Sequence, residues 1–293
     1  MKIKRTLGER IFEVVNLAFL VLVMIVMLYP LMHVLFASFS NPNLLSAHTG
    51  VLLRPLGFST AAYEAVLQNP DIYTGYSNTL FLVTVGTLCS LLLTIFSAYV
   101  LSRRGYGLRR VFNFVATFTM FFSGGLIPFY LQVKGLGLLN TRWSLILPTL
   151  MSTYNLIVLR TAFASVPASL EEAAKIVGAN DFTVLFRVIV PLSIPSLAVI
   201  VLFYAVSYWN AWFYAMVFLR KRELYPLQLI LKEILVQNDT SVMSTIANQS
   251  EMDIYRPLVK YCTVIVSIVP IIIVYPFVQK HFVKGMMIGA VKG

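Results

Sequence analysis

Six long stretches of the sequence contain no Asp, Glu, Lys or Arg. A helix needs about 20 apolar residues, within a range of about 17–25, to cross the hydrocarbon core of a membrane. Transmembrane strands would be shorter and would alternate apolar with polar residues, and these stretches do not alternate. The pattern therefore predicts an all-α, polytopic membrane protein. The stretches cover residues 14–53, 72–102, 111–133, 143–159, 188–219 and 261–279.

We predict one transmembrane domain over residues 1–293, with six membrane-spanning helices. Of all residues, 12% are charged and 58% are apolar or aromatic, whereas soluble proteins carry about 25% charged residues. The first span follows basic residues, as a secretion signal does. It exceeds the roughly 7–15 apolar residues of a signal, so we expect it to be a retained anchor. The predicted spans lie near 13–37, 78–101, 111–132, 144–163, 194–219 and 260–280.

The formal net charge of +11 follows from where the basic residues lie. If both termini are cytoplasmic, the inner segments are 1–12, 102–110, 160–193 and 280–293, and they hold 14 of the 23 Lys and Arg residues. Cytoplasmic loops of membrane proteins are enriched in Lys and Arg, so the distribution favours this orientation. The positive charge then reflects membrane topology, and no nucleic-acid partner is needed to explain it.

The predicted spans carry no ionisable residue at their centres. Transporters driven by protons or sodium need such residues at membrane depth, where they are costly and persist for function. The sequence also lacks the phosphate-binding pattern G-x-x-x-x-G-K-[ST]. If the protein moves a solute uphill, the energy therefore comes from another subunit. A passive channel remains an alternative at this point.

Catalytic and metal chemistry have little support in the sequence. Glu171-Glu172 is the one adjacent acidic pair, and neighbouring residues on a helix point in different directions. A membrane enzyme that needs paired carboxylates is therefore disfavoured. The three histidines, His33, His48 and His281, are scattered and predict no metal site.

The cytoplasmic segment 164–193 has the pattern of a helical hairpin. Ser169 with Glu172 three residues later predicts a capping box that begins a helix. Gly178 predicts its left-handed end, and Asn180 or Asp181 can cap a second helix. The first helix would present one apolar face, formed by Leu170, Ala173, Ala174 and Val177. Such a hairpin either docks a partner or lies on the membrane surface.

The spacing of this hairpin resembles the EAA loop of the permease subunits of type I ABC importers. Glu172-Ala173-Ala174 is followed after three residues by Gly178, and Val188-Ile189-Val190-Pro191 stands where the family has Ile-x-Leu-Pro. Further segments are similar to the maltose-type permeases of the branch that imports complex oligosaccharides, to which the alginate importer permeases belong. These segments are 122–128, 224–228, 275–280 and 285–293.

The resemblance implies a non-catalytic permease subunit in a bacterial cytoplasmic membrane. Its partners would be a second permease subunit (a different chain in most of this branch), two ATPase subunits and an extracytoplasmic solute-binding protein, with lipid around it. This chain would bind no cofactor, because ATP and Mg²⁺ belong to the ATPase subunits. Segment 164–193 would be the coupling helix, with Glu172 as a charged contact. The residues assigned to coupling are Glu171, Glu172, Ala173, Ala174, Gly178 and Ala179.

An oligosaccharide pathway needs aromatic rings that stack on sugars and polar groups that bind hydroxyls. Tyr204 and Tyr208 are four residues apart, so they share a helix face. The candidate pathway residues are Tyr204, Tyr208, Trp209, Asn210 and Trp212 in the fifth span, and Tyr154 and Asn155 in the fourth. Core packing or an interfacial aromatic belt is the alternative for the rings. Asn210 needs a hydrogen-bond partner at membrane depth.

The outer segments 38–77 and 220–259 are expected to meet the binding protein. Arg220-Lys221-Arg222 lies at the start of the second segment. These cations could pair with acidic residues of the binding protein, attract an acidic sugar, or form a solvated turn. The sequence leaves the three alternatives open, together with the choice between acidic and neutral cargo.

Overall fold

The computed structural model describes residues 6–103, 107–236, 258–273 and 276. These ranges are helical with connecting turns and contain no strand beyond one isolated bridge, between Ser40 and Phe58. The predicted all-α class is confirmed. The helices are α1 Leu7–Ser38, α2 Pro42–Ala47, α3 Ala61–Gln68, α4 Pro70–Ser102, α5 Arg109–Phe121, α6 Leu126–Gly135, α7 Trp143–Thr149, α8 Thr153–Ala164, α9 Ala168–Ile176, α10 Asp181–Leu192, α11 Ile194–Trp209, α12 Phe213–Phe218, α13 Leu227–Val236 and α14 Leu258–Ile273.

The described helices agree with the predicted spans to different degrees. α1 and α4 are long and apolar enough to cross a membrane, and they contain the predicted spans 13–37 and 78–101. The number of possible spans rises to five when each of three bent helix pairs counts as one. α14 covers the first part of the predicted span 260–280, whose remainder lies outside the described residues. The count of six spans therefore stays a prediction.

The predicted span near 111–132 consists of two helices rather than one continuous helix, and its crossing of the membrane stays a prediction. α5 ends at Phe121, α6 begins at Leu126, and the two helices are bent by 118°. Between them Gly125 has φ +84°, in the left-handed region that glycine enters without a steric penalty. The Gly124-Gly125 pair therefore divides this apolar stretch into two shorter helices.

The predicted fourth and fifth spans are also interrupted. α7 and α8 are bent by 50°, and Ser152 caps the second of them by accepting a hydrogen bond from the Asn155 N–H. In the predicted span 194–219, α11 ends at Trp209. There the Trp212 N–H donates to the Asn210 carbonyl at 2.8 Å. This short-range bond turns the chain away from the helix axis before α12.

The described residues form two compact units. One comprises the residues up to Asn69 and those from Ile234 to Val269. The large apolar side chains along most of α1 are exposed, as suits a helix in lipid or against another subunit. The end of α1 is held by Ser38, whose hydroxyl bonds to the Tyr63 hydroxyl at 2.7 Å. The Ser38 carbonyl accepts from the Cys262 thiol at 3.3 Å.

The other unit comprises Pro70–Glu233 and the described residues from Pro270 onward. Two hydroxyl pairs join α4 to α11: Ser90 to Tyr208 at 2.9 Å, and Thr94 to Tyr204 at 2.7 Å. The position on α4 rises as the position on α11 falls, so the two helices run antiparallel. Their buried faces, α8 and α10 contribute to the core of this unit, which includes Leu159, Phe163, Leu185 and Ile200.

Gly86 provides the space in which Tyr208 packs against α4. A Cβ atom at Gly86 would lie 2.7–2.9 Å from three carbons of the Tyr208 ring, which is buried and held by Ser90. We expect Gly86→Ala to destabilise the purified protein by about 1–3 kcal/mol through overpacking. A lower thermal midpoint in detergent measures this. The matched control is Gly135→Ala, where an added Cβ meets nothing within 4 Å. Equal midpoints for the two variants would contradict the packing argument.

Candidate functional site

The first helix of the 164–193 hairpin begins two residues earlier than the sequence predicts. α9 starts at Ala168, with Pro167 as its N-cap and no side-chain cap. The predicted capping box is therefore wrong, because Ser169 lies inside the first turn. Proline before the helix fixes the backbone in an extended entry, and its carbonyl accepts from the Leu170 N–H at 3.2 Å.

The end of α9 follows the prediction closely. Gly178 has φ +88°, and its N–H donates to the Lys175 carbonyl at 2.9 Å, while the Ala179 N–H donates to the Ala174 carbonyl at 3.0 Å. These two bonds are the Schellman arrangement that ends a helix at glycine. Asn180 then caps α10 by accepting from the Thr183 N–H at 2.8 Å. The predicted helix–turn–helix is confirmed.

The candidate coupling residues of the hairpin differ in how deeply they are buried. Ala174 and Ala179 are half-buried against the core of the unit. Ala173 is exposed, and so is Glu172, which forms no ion pair with any described residue. Leu170 and Val177 of the predicted apolar face are exposed as well.

The tip of the hairpin is apolar. Ile176 and Val177 expose 87% and 88% of their surface. These two neighbouring aliphatic side chains form an exposed apolar patch. Patches of this kind, bordered by polar residues, mark interaction sites.

Beneath this tip lies a cluster of charges. Lys175 bridges the two helices of the hairpin, with its Nζ 3.0 Å from Glu171 and 3.2 Å from Asp181. Glu171 also pairs with Arg103, at the end of α4. Partial burial alone would raise the pKa of Glu171, but the hydrogen bonds from Lys175 and Arg103 lower it more, so this pKa lies below its ordinary value. Glu171 is thus engaged inside the chain, and Glu172 is the carboxylate open to a partner.

A cavity of about 650 Å³ lies between α8 and α11. Five of the seven candidate pathway residues line it, and no charged residue is among its described lining. Its size is within the range of small-molecule sites, which are mostly apolar with a few polar groups. The five are Tyr154, Asn155, Tyr204, Tyr208 and Asn210.

The hydroxyls of the two tyrosines on α11 are occupied. The Thr94 hydroxyl donates to the Ser90 carbonyl at 2.7 Å, so Tyr204 donates to Thr94. The Tyr204 oxygen also accepts from the Ser152 N–H at 3.1 Å. Tyr208 bonds to Ser90. Their rings therefore form the floor of the cavity, while their hydroxyls tie helices together.

The two candidate tryptophans do not line the cavity. Trp209 is buried and packs edge-on against Tyr76, with ring centroids 6.4 Å apart. Trp212 lies under the ammonium of Lys232, which is 4.8 Å from the ring centroid. The packing alternative therefore describes these two residues in the present structure.

The two asparagines face the cavity in different ways. Asn210 donates through Nδ2 to the Val206 carbonyl at 3.0 Å, which provides the partner that its depth demands. The side chain of Asn155 is 4% exposed, lines the cavity and makes no hydrogen bond with the described residues. An amide that lines the cavity and has no hydrogen bond to the described residues is available to a polar ligand.

Several lining residues escaped the sequence reasoning. Phe203, Ser207 and Tyr214 line the cavity with Asn210. Phe203 and Ser207 are four residues apart on α11 and share a helical face with Tyr204 and Tyr208 nearby, a signal that the sequence offers, whereas Tyr214 lies on α12, beyond the turn. Ser207 has little signal of its own in the sequence, because it is small and its neighbours are apolar or aromatic.

The cations of segment 220–222 have separate surroundings. Arg222 pairs with Asp71 at 2.6 Å and with Glu233 at 3.3 Å, so this guanidinium holds α4 and α13 to the turn. The backbone N–H groups of Arg220 and Lys221 donate to the Asn140 side chain. Their own side chains are exposed and form no ion pair with the described residues. In the described part of the chain, no group of three His, Cys, Asp or Glu side chains could hold a metal ion.

Comparison with known proteins gives consistent matches. A family model described as "Binding-protein-dependent transport system inner membrane component" matches residues 90–288. The chain is 39% identical to the polygalacturonan/rhamnogalacturonan transport system permease protein YtcP of Bacillus subtilis (strain 168), over 97% of this chain and 99% of that protein. It is 36% identical to protein LplC of the same organism, over 98% and 97%.

A solved structure matches as well. It is the crystal structure of a bacterial ABC transporter involved in the import of the acidic polysaccharide alginate. The TM-score is 0.88 at 36% identity, and the match covers 96% of this chain and all of that one. The sequence similarity and the structural similarity thus extend over nearly the whole chain.

Proposed function

The chain belongs to the family of binding-protein-dependent transport system inner membrane components, and from this premise we propose that it carries an acidic oligosaccharide through the membrane, driven by partner ATPase subunits. The resemblance to ABC importer permeases is thereby confirmed. A solute-binding protein would deliver the cargo. A second permease chain would complete the pathway.

The apolar hairpin tip is the observation that carries the ATPase-driven mechanism. Ile176 and Val177 expose nearly all of their surface on a turn that ion pairs hold in place. A groove in one ATPase subunit would bury this tip. Glu172 would pair with a basic residue at its rim. Closure of the ATPase pair on ATP binding would then displace the hairpin and change the accessible side of the cavity. This requires the partners to bind the two states unequally.

The acidic class of cargo is supported by two relatives. YtcP is named for polygalacturonan and rhamnogalacturonan, and the matched crystal structure concerns alginate. The cavity offers tyrosine rings and the Asn155 amide, which suit sugar faces and hydroxyls. Its lining carries no charged residue among those described. Selection for the carboxylates would therefore be made by the binding protein or the second permease.

The proposed function also implies how the chain is oriented in the membrane. The hairpin would face the cytoplasm, where ATP is present, and both termini would share that side. Lys175 and Arg103 would then be among the cytoplasmic basic residues that orient membrane proteins. Arg220 and Lys221 would lie on the outer face, where they could meet the binding protein.

Reconstitution in liposomes tests the function. The chain, the second permease, the ATPase and the loaded binding protein would be combined, and uptake of labelled oligogalacturonate measured with and without internal ATP. We expect uptake to require ATP and the binding protein. Carboxyl-reduced oligogalacturonate serves as the neutral control and should not compete.

Two results would contradict the proposal in different ways. Uptake without ATP would favour the passive-channel alternative. Uptake of the neutral sugar in preference to the acidic one would preserve the importer and overturn the acidic cargo.

A further inference from the structure

Arg103 joins three helices at one end of the second unit. It follows the last residue of α4, and its Nη1 pairs with Glu171 on α9. Its Nη2 donates to the Phe163 carbonyl near the end of α8 at 2.8 Å. Its Nε donates to the Ser102 hydroxyl at 3.0 Å, and its guanidinium carbon lies 5.2 Å from the Tyr99 ring centroid. Every nitrogen of the guanidinium therefore has a partner.

On the hairpin side, this contact belongs to a network of ion pairs. Glu171 accepts from Arg103 and from Lys175, and Lys175 continues the ion pairs to Asp181 on α10. The Glu171 side chain is 14% exposed, so solvent screens the pair less than it screens a surface pair. A displacement of α9 therefore pulls on Arg103 directly.

On the other side of the contact, α4 connects Arg103 to residues that hold the cavity lining. From Arg103 to Thr94 is nine residues, about 14 Å along a helix. There Thr94 and Ser90 bond to Tyr204 and Tyr208, whose rings line the cavity. The chain of packed and hydrogen-bonded groups from hairpin to cavity is thus continuous, as energetic coupling between distant sites requires.

We propose that Arg103 is the positioning residue through which movement of the hairpin is passed to α4 and so to the cavity. This inference rests on the proposed function. Arginine suits the position because its planar guanidinium presents five N–H donors in a fixed geometry. A lysine ammonium is a single point and would not reach Glu171, Phe163 and Ser102 together.

A double-mutant cycle tests the proposal. Arg103→Gln, Glu171→Gln and the double variant would be reconstituted with the ATPase, the second permease and the binding protein. Each single change should leave ATPase co-purification intact and lower both uptake and ATPase stimulation by the loaded binding protein roughly tenfold, within the usual range of coupling. The double variant should be no worse than either single one, because both changes break the Arg103–Glu171 contact on which the transmission depends. Arg103→Lys should recover little.

Arg110→Gln is the matched control. Arg110 lies near Arg103 in sequence, is exposed and forms no ion pair with the described residues, so its removal should leave uptake unchanged. The inference is overturned if Arg103→Gln transports as well as Arg110→Gln, if the cycle is additive, or if Arg103→Gln loses the ATPase subunit. Absence of ATP-driven uptake by the unaltered complex would overturn the proposed function instead.

Discussion

Replacing Ile176 with aspartate should detach the ATPase subunit from the purified complex and abolish uptake. Ile176 is 87% exposed, so the change costs this chain little folding stability. In the docked complex, however, the carboxylate would be buried without a partner. Loss of an interface anchor costs about 2–4 kcal/mol, which weakens the dissociation constant about 30- to 800-fold. Co-elution of the ATPase with the tagged chain on size exclusion measures the effect.

Two further changes at Ile176 separate burial from simple electrostatics. Aspartate in the last turn of α9 also opposes the helix dipole, by about 0.3–1 kcal/mol, whereas lysine is favourable there. Ile176→Lys should nevertheless detach the ATPase, because a charge of either sign is costly in an apolar groove. Ile176→Leu should bind normally. If the lysine variant keeps its ATPase, the tip is not an apolar docking surface.

The hairpin shows which features local sequence can predict. Gly178 and Asn180 act through their own backbone conformation and hydrogen bonds to neighbours, so their roles follow from position alone. The partner of Glu171 does not, because Arg103 lies 68 residues earlier. Leu170, Ala173 and Val177 were predicted to share a face with Ala174. In the structure Ala174 is half-buried and the other three are exposed. Burial depends on which parts of the fold pack beside the helix, and local sequence does not give that.

In the cavity, too, local sequence predicts some features, whereas contacts between distant residues escape it. The spacing of Tyr204 and Tyr208 predicts a common face, and both rings do line the cavity. Their hydroxyls bond to Thr94 and Ser90, which are also four residues apart. Hydropathy does not reveal that these two pairs meet, because it treats each span alone. Hydropathy also does not reveal the end of α11 at Trp209, because the residues on both sides of the turn are apolar.

Filling the cavity should stop transport and leave the complex assembled. Ser207 lines the cavity and is exposed on α11, so Ser207→Trp places an indole in the open space without displacing core side chains. We expect uptake in liposomes to fall to the level of protein-free vesicles. ATPase co-purification should be unchanged, because the hairpin is untouched. Uptake and co-elution measured on the same preparation distinguish a blocked pathway from a lost partner.

Val201→Trp is the control for adding an indole to the same helix. Val201 is 36% exposed on α11 and does not line the cavity. Its replacement should preserve most of the uptake, because the added ring lies outside the pathway. Equal losses in the two variants would point to damage of α11 itself. Full uptake by Ser207→Trp would mean that cargo passes elsewhere, and the assignment of Tyr154 and Asn155 to the pathway would fail with it.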